Sequence, residues 1–363
     1  IGDLTMKMFN CDYLEGAHEK ILKKLLDTNL EQTPGYGEDP HCEAAARMIR
    51  DMVGDEAAYV QFLVGGTQAN MTILSYLLRP HEGVISADTG HIAVHESGAI
   101  EAQGHKVITL SGKNGKLCAD DIKAFVKAYW ADDTTEHMVK PRAVYVSYST
   151  ETGSIYSKEE LKAIRKVCDK YDMYLFLDGA RLGYGLMSPE ADLTIKDIYE
   201  LTDVFYIGGT KQGALFGEAV VFNSSISHKD FRYYIKQKGG MLAKGRLLGI
   251  QFEALLEPDE DGSCLYFELA KRADMLALRI KDRLCELGFQ PCGDSPTNQQ
   301  FFILPNKLIK KLSKKYSFSI NAPVDKDRTS VRICTSWATT DEAVDTLLKD
   351  MEKAAKKLFN GKA

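Results

Sequence analysis

The chain has 363 residues, of which 44% are apolar, and a formal net charge of −5 at neutral pH. A chain of this length is expected to form one large domain with a smaller companion. The charge is spread without a basic block, which argues against a nucleic-acid-binding protein. No run of roughly 18 apolar residues occurs, so no membrane span is predicted.

The cysteine pattern indicates the compartment. None of the cysteines forms a C-x-x-C pair, and in a chain of this length that pattern is typical of reduced thiols and not of a disulfide framework or a metal site. Residues 1–16 lack a basic flank followed by an apolar core, so no signal peptide is expected. We therefore predict a cytoplasmic protein without bound metal. The eight cysteines are Cys11, Cys42, Cys118, Cys168, Cys264, Cys285, Cys292 and Cys334.

Strand-like segments alternate with helical ones over the first two thirds of the chain. Asp39 can cap a helix that has Pro40 at its first position and ends at Gly54. The alternation predicts an α/β fold with a doubly wound, mostly parallel sheet, in a large domain that spans residues 1–256. Strands are predicted at residues 57–64, 83–87, 106–110, 143–147, 174–177 and 204–207.

The last third of the chain has a different pattern. An acidic break at residues 257–262 is the predicted domain boundary. A long helix at about residues 264–287 follows, then three strand-like segments and a closing helix at about residues 340–359. These elements predict a small α+β domain that spans residues 257–363.

Polar residues follow several predicted strands. Asp178 ends one strand, Lys211 follows the next, and a glycine turn at residues 65–70 joins an earlier strand to a helix. Ligands of such sheets lie beyond the carboxyl ends of the strands. The amides at a helix start favour an anion, and the turn fits a single phosphate better than a dinucleotide or a P-loop pattern.

These parts together match the chemistry of pyridoxal 5′-phosphate. The backbone and side-chain donors of Gly66, Thr67 and Gln68 suit its phosphate. The carboxylate of Asp178 suits its ring nitrogen, and the amine of Lys211 suits its aldehyde.

A histidine lies between these parts in the sequence. His91 follows the predicted strand at residues 83–87, where an imidazole could stack on the face of the ring. It opens a segment that is predicted to be a helix carrying His95 and Glu96 on a solvated face.

Five motifs carry a resemblance that covers essentially the whole chain: YGEDP (36–40), GGTQAN (65–70), TETGSIY (150–156), LDGARL (177–182) and TK (210–211). With them, the chain resembles the threonine aldolases of the aromatic amino acid beta-eliminating lyase group. The resemblance implies the aspartate-aminotransferase-like fold of the pyridoxal-phosphate-dependent transferases, known as fold type I.

The resemblance also implies roles for single residues. Lys211 is similar to the lysine that binds the cofactor covalently, Asp178 to the partner of the ring nitrogen, and His91 to the histidine that stacks on the ring. Arg181 and Arg332 resemble the arginines that hold the substrate carboxylate or a cofactor oxygen.

Further roles concern the phosphate and the substrate. Gly66, Thr67 and Gln68 resemble the phosphate cradle, to which Lys236 or Lys238 would add charge across a subunit interface. Tyr36 is implied to contact the ring or the phosphate of a neighbouring subunit. Cys11 stands where many of these aldolases carry a serine that binds the substrate carboxylate. The family implies a homodimer or homotetramer with active sites at the interface.

The implied reaction is cleavage of L-threonine, L-allo-threonine or related β-hydroxy-α-amino acids to glycine and an aldehyde. The favoured base is His91. The alternatives are His95, and Glu151 acting through a water. The chain departs from the family at Gly209-Thr210, where a serine commonly precedes the lysine, and at Thr150-Glu151, where one subgroup has a histidine. A β-eliminating lyase, a racemase, an aminotransferase and a cofactor-less binding protein therefore stay open.

Overall fold

The structure is a computed structural model that describes residues 6–359, and the outer ends of the two predicted domains lie outside these residues. No helix in this part of the chain is both long and apolar enough to cross a membrane. The strands are β1 (Lys7–Phe9), β2 (Tyr59–Leu63), β3 (Glu82–Ala87), β4 (Val107–Leu110), β5 (Lys140–Ser147), β6 (Tyr174–Asp178), β7 (Val204–Gly208), β8 (Glu218–Phe222), β9 (Gln290–Pro291), β10 (Gln299–Pro305), β11 (Tyr316–Pro323) and β12 (Arg328–Cys334).

The helices include the capped ones that the sequence predicts. Asp39 accepts a hydrogen bond from the Cys42 amide at the start of the second helix, and Gly54 ends that helix in the left-handed conformation. The helices are α1 (Glu19–Asp27), α2 (Pro40–Val53), α3 (Gly66–Leu77), α4 (His91–Val94), α5 (Ala119–Trp130), α6 (Lys158–Lys170), α7 (Leu182–Met187), α8 (Ile195–Leu201), α9 (Phe231–Gln237), α10 (Arg246–Leu256), α11 (Leu265–Glu286), α12 (Asn306–Leu312) and α13 (Asp341–Phe359).

The larger sheet has seven strands in the order β2-β8-β7-β6-β5-β3-β4. Its pairs are parallel except for those of β8, which runs antiparallel to both β2 and β7. The predicted mostly parallel sheet is therefore confirmed. Because β5, β6 and β7 run in one direction, their carboxyl ends meet at one edge.

Helices cover both faces of this sheet. Along β6, Phe176 belongs to the apolar cluster beneath α3 and α9, whereas Leu175 and Leu177 belong to the cluster beneath α2, α6 and α10. This alternation follows from the two-residue period of a strand, and burial on both faces explains why the strand sequences are almost continuously apolar.

The smaller sheet has five strands in the order β1-β11-β12-β10-β9, and it packs against α11 and α13. The sequence pattern assigns the N-terminal segment to the large domain, but strand β1 pairs with β11 in the smaller sheet. The physical reason is apolar packing, because Phe9 is buried in the cluster beneath this sheet, with its ring 6.3 Å from that of Tyr316. The rest of the predicted boundary at residues 256 and 257 stays a prediction.

The predicted helix through His95 and Glu96 is wrong in its extent. Helix α4 is a single turn that ends at Val94. Ser97 and Gly98 follow with positive φ angles of 52° and 72°, which a helix does not accommodate. The chain therefore bends away after one turn.

Candidate active site

A cavity of about 190 Å³ lies at the carboxyl edge of the larger sheet. Six of the residues predicted from the sequence line it: Gly66, Thr67, His91, Asp178, Arg181 and Lys211. The other five predicted site residues do not: Cys11, Tyr36, Gln68, Lys238 and Arg332. Parallel strand ends bring the first set together, as the sequence predicts.

Asp178 ends β6 as a buried carboxylate. Its Oδ2 accepts hydrogen bonds from the Tyr145 hydroxyl at 2.5 Å and from Asn70 Nδ2 at 3.1 Å, and its Oδ1 accepts one from the Ala180 amide at 2.9 Å. Burial on its own would raise the pKa of Asp178, but the charge of His91 and the hydrogen bonds from Tyr145, Tyr206 and the Ala180 amide outweigh burial and lower it. Asp178 is therefore held ionised.

The turn after Asp178 requires a glycine. A Cβ atom at Gly179 would lie 1.7 Å from the carbonyl oxygen of Tyr206 on the neighbouring strand. Any side chain at this position would force β6 and β7 apart. The Asp-Gly sequence thus fixes how closely the ends of these two strands approach.

Lys211 lies beyond the end of β7, with its backbone fixed and its amine unpaired. Its carbonyl oxygen accepts a hydrogen bond of 2.6 Å from the Tyr184 hydroxyl. Within residues 6–359, Nζ has no hydrogen-bond or ion-pair partner, and it lies 6.0 Å from the centre of the Tyr13 ring. Burial and the nearby Arg181 charge lower the pKa of Lys211, against the opposing effect of the surrounding carboxylates.

A hydrogen-bonded chain links Asp178 to His91. Asn70 Nδ2 donates to Asp178 and also to Glu96 Oε1, at 2.7 Å. The same Glu96 oxygen lies 2.7 Å from His91 Nδ1. Burial alone would lower the pKa of His91, but the Glu96 hydrogen bond and the Asp178 charge raise it.

The predicted solvated position of Glu96 is wrong, whereas His95 is exposed and lies outside the cavity lining. Glu96 is buried because α4 ends at Val94, and its carboxylate then accepts a hydrogen bond from Asn70 of α3. Asn70 was not predicted as a site residue. The available signal was its place in the GGTQAN motif, near the start of the helix that begins at the cavity.

Glu151, an alternative base, is also buried in the cavity wall. Its Oε1 accepts hydrogen bonds from the His91 amide at 3.1 Å and the Ser147 hydroxyl at 2.8 Å. Burial and the Asp178 charge raise the pKa of Glu151, although Ser147 and His91 partly oppose them. Glu151 therefore holds the backbone at the start of α4 and competes with His91 as a proton acceptor.

The start of α3 forms an anion-binding wall. Within the described residues, the peptide N–H groups of Gly66, Thr67 and Gln68 have no hydrogen-bond partner. They point out of the helix start, where the helix dipole favours negative charge. Their presence beside the cavity agrees with the cradle predicted from the sequence.

The Gln68 side chain is engaged elsewhere. Its Oε1 accepts from the Val64 amide at 3.2 Å, and its Nε2 donates to the Lys238 carbonyl at 3.1 Å. The Lys238 ammonium donates to Gln103 Oε1. In this chain, only the backbone of Gln68 is therefore free to bind an anion.

Arg181 is anchored by Asp12. Its Nε and Nη2 donate to the two oxygens of this buried carboxylate at 2.8 and 3.0 Å, and Asn298 Nδ2 donates to one of them at 2.9 Å. Burial alone would raise the pKa of Asp12, but the charges of Arg181 and Lys211 lower it to about 2. Within residues 6–359, Nη1 of Arg181 keeps no protein partner.

The remaining predicted residues lie around the cavity without lining it. Arg332 donates from Nη1 to Gln299 Oε1 at 3.0 Å and from Nη2 to the Asn10 carbonyl at 2.8 Å. Cys11 is buried beside Asn10. Tyr36 is 45% exposed, and its ring lies 4.9 Å from the ammonium of Lys236.

The cavity wall carries buried polar atoms without partners in the described residues. They are the hydroxyl of Ser149 and one carboxyl oxygen each of Glu151 and Glu218. Buried polar atoms are nearly always paired, so this wall is built to face a polar ligand. With the free α3 amides, the ionised Asp178 and the unpaired amine of Lys211, it fits a ligand that has an anionic group, a basic ring nitrogen and an aldehyde.

The chain is similar to known proteins over most of its length. A model of the beta-eliminating lyase family matches residues 14–309. A low specificity L-threonine aldolase from Pseudomonas sp. (strain NCIMB 10558) is 36% identical over 264 residues, which are 71% of this chain and 73% of that protein.

Two solved structures extend the comparison to the whole fold. The Leishmania major threonine aldolase is 41% identical, with a TM-score of 0.92 over 96% of this chain and 99% of that one. An aromatic aminotransferase from Pyrococcus horikoshii OT3 is 19% identical, with a TM-score of 0.69 over 97% and 96% of the two chains. The predicted aspartate-aminotransferase-like fold is thereby confirmed, and the chain belongs to the beta-eliminating lyase family, with L-threonine aldolases among its relatives.

Proposed function

We propose that this chain is a pyridoxal-5′-phosphate-dependent aldolase that cleaves L-threonine, L-allo-threonine or related β-hydroxy-α-amino acids to glycine and an aldehyde. The observation that carries the proposal is one cavity lined by the ionised Asp178, the unpaired amine of Lys211 and the free amides at the start of α3. Membership of the family makes the chain a carbon–carbon lyase of the threonine aldolase type.

When bound, the cofactor supplies an electron sink for the bond that breaks next to Cα. Asp178 would keep the ring nitrogen protonated, because its own pKa is low. The amides of Gly66 and Thr67 would hold the phosphate. The lowered pKa of Lys211 increases the fraction of free amine that can bind the aldehyde.

The substrate carboxylate needs a cationic donor. Arg181 is fixed by Asp12 through two nitrogens, which leaves Nη1 as its free donor. A guanidinium held in this way pays little entropy on binding a carboxylate. Arg332 contributes if the substrate displaces its bond to Gln299.

The proton of the β-hydroxyl group needs an acceptor. Nδ1 of His91 is bonded to Glu96, so Nε2 is the ring nitrogen left to take a proton. The Glu96 carboxylate stabilises the imidazolium that forms, since it raises the pKa of His91. We therefore favour His91 as the base, and Glu151, which has one carboxyl oxygen without a partner in the described chain, is the alternative.

The reaction is tested by incubating the holoenzyme with a panel of L- and D-β-hydroxy-α-amino acids and assaying both aldehyde and ammonia. Glycine and an aldehyde in equal amounts are expected from L-threonine or L-allo-threonine. Release of ammonia without glycine would instead show a β-eliminating lyase, the alternative that the family description favours.

The site assignment is tested separately. Borohydride reduction of the holoenzyme should attach the cofactor to Lys211, as seen by peptide mass spectrometry. Lys211→Ala should abolish turnover. Attachment at another lysine, or activity in this variant, would refute the assignment.

We further propose a homodimer or homotetramer in the cytoplasm, with active sites at the interface. The exposed ring of Tyr36, stacked against Lys236, supports a contact across subunits. Light scattering gives the subunit number. Mixing equal amounts of Lys211→Ala and Tyr36→Ala subunits should restore about a quarter of the activity if each site draws on both chains, because half of the random pairs are mixed and each mixed pair has one intact site. No recovery on mixing would place Tyr36 outside the partner's site.

A further inference from the structure

Glu218 is a buried carboxyl group in the cavity wall that the proposed reaction does not use. It is the first residue of β8, and its side chain is 3% exposed. Its Oε1 accepts a hydrogen bond of 3.0 Å from the Thr210 hydroxyl. Its Oε2 is buried without a partner in the part of the chain that the structure describes.

The sheet places Glu218 beside the anion-binding start of α3. In the strand register, Glu218 is opposite Leu63, which leads directly through Val64 into the glycine turn. On its other side, Glu218 is opposite Gly208, which has no side chain to cover the carboxyl group.

A second buried polar group marks the same place. Tyr206 lies two residues before Gly208 and so on the same face of the sheet as Glu218. Its hydroxyl lies beside the Asp178 carboxylate, and a Cβ atom at Gly66 would lie 3.2 Å from it. Two buried polar groups therefore adjoin the free amides of α3.

The titratable groups that face Glu218 come from four elements. They are Asp178 of β6, Tyr206 of β7, Lys211 in the β7–β8 connection and Tyr266 of α11. Burial and the Asp178 charge raise the pKa of Glu218 to about 8, against the opposing effects of Lys211 and Thr210. Glu218 is thus a neutral acid at neutral pH.

The hydrogen-bond directions locate its proton. The Thr210 hydroxyl oxygen accepts from the Gly217 amide at 3.1 Å, and in the described chain its own hydrogen has Glu218 Oε1, at 3.0 Å, as its acceptor. Oε1 is therefore an acceptor, and the acid proton belongs on Oε2. A buried O–H donor without an acceptor then faces the cavity.

We propose that protonated Glu218 donates a hydrogen bond from Oε2 to the phosphate group bound at the start of α3, and that ionisation of this carboxyl group releases the phosphate. The inference deepens the proposed function, on which the identity of the phosphate-bearing ligand rests. An ionised Glu218 would put a negative charge beside the phosphate dianion, with little water to screen the repulsion.

The test measures binding to the full-length apoprotein by calorimetry between pH 6 and 9, with three probes: pyridoxal 5′-phosphate, pyridoxal and inorganic phosphate. Above pH 8, the affinity of the wild type for both phosphate-bearing probes should fall about tenfold per pH unit relative to pyridoxal. Pyridoxal carries the same aldehyde, so it corrects for the titration of Lys211.

Two substitutions distinguish the effect of the hydrogen-bond donor at position 218 from the effect of its ionisation. Glu218→Gln keeps an N–H donor that cannot ionise, so its phosphate affinity should lose the step near pH 8. Glu218→Ala removes the donor and should weaken phosphate binding about tenfold or more at pH 7. Asp274→Asn is the matched control, because Asp274 is a buried carboxyl of raised pKa outside the cavity. It should behave as the wild type does.

The proposal would be overturned if phosphate affinity fell near pH 8 in Glu218→Gln as it does in the wild type. If pyridoxal 5′-phosphate and pyridoxal both fail to bind, the proposed function fails, while inorganic phosphate still tests Glu218. If the variants do not fold, infrared spectra of the wild type decide. A protonated carboxyl band that titrates near pH 8 and shifts on adding inorganic phosphate supports the proposal, and a band that does not shift refutes it.

Discussion

His91 Nδ1 and Glu96 Oε1 lie 2.7 Å apart, so one carboxylate orients the imidazole and favours its protonated form. The same oxygen accepts from Asn70, which also binds Asp178. The residue proposed to stack on the ring and the residue proposed to bind its nitrogen are thus held by one hydrogen-bonded chain.

Replacing Glu96 by Gln should shift the pH dependence of the reaction. Glu96 raises the pKa of His91, so a neutral partner lowers it, and His91 stays an effective base to lower pH. In the pH profile of kcat/KM, the acid limb should shift to lower pH by about 1 unit. The matched control is Glu101→Gln, an exposed position nearby. An unchanged acid limb would mean that His91 is not the base.

Replacing Asp12 by Asn should destabilise the protein strongly. The change leaves the buried Arg181 without its carboxylate, which costs about 3–5 kcal/mol in the free energy of unfolding. Urea unfolding at pH 7 measures the loss. Glu160→Gln, which breaks the partly exposed pair with Lys116, should cost less than about 1 kcal/mol.

Asp12 should also contribute to acid unfolding. Its pKa is about 2 in the folded chain, against an ordinary value of 3.8 for an aspartate. A lowered carboxyl pKa stabilises the fold above pH 3.8, and that stabilisation disappears as the pH falls to about 2. The contribution is about 2 kcal/mol. The difference in the free energy of unfolding between the wild type and Asp12→Asn should therefore shrink as the pH falls over this range. A difference that stays constant would contradict the lowered pKa of Asp12.

Replacing Asp178 by Asn should remove the charge that the ring nitrogen requires. We expect kcat/KM to fall at least about 10²-fold and the cofactor to dissociate more easily. Steady-state kinetics and cofactor absorbance after dialysis measure both effects. Asp172→Asn, at an exposed turn just before β6 where Asn tolerates the positive φ angle, is the control and should retain wild-type activity.

Replacing Tyr184 by Phe should loosen the backbone of Lys211. The hydroxyl donates to the Lys211 carbonyl at 2.6 Å, and its loss should reduce the free energy of unfolding by about 1–2 kcal/mol. Tyr148→Phe is a close control, because the Tyr148 hydroxyl is buried without a hydrogen-bond partner in the described chain. That variant should be neutral or slightly more stable. Equal losses in both variants would argue against a specific role for the Tyr184 bond.

Local sequence patterns predicted those parts of the site that depend on single elements. Asp178 and Lys211 each follow a run of apolar residues, and the glycine turn before α3 joins a strand to a helix, so their meeting at one sheet edge follows from parallel pairing. Glu96 was misplaced because the pattern of a helix does not show where the chain bends after one turn.

The sequence alone determined the mostly parallel α/β fold, the family and the strand ends that carry Asp178 and Lys211, because apolar periodicity and short motifs are local properties. Only the tertiary structure decided the partners: Asp12 on Arg181, Glu96 on His91, and Glu218 beside the start of α3. Burial and the charges of residues distant in sequence determine these pairings and the pKa shifts that they cause, and neither can be read from local order in the chain.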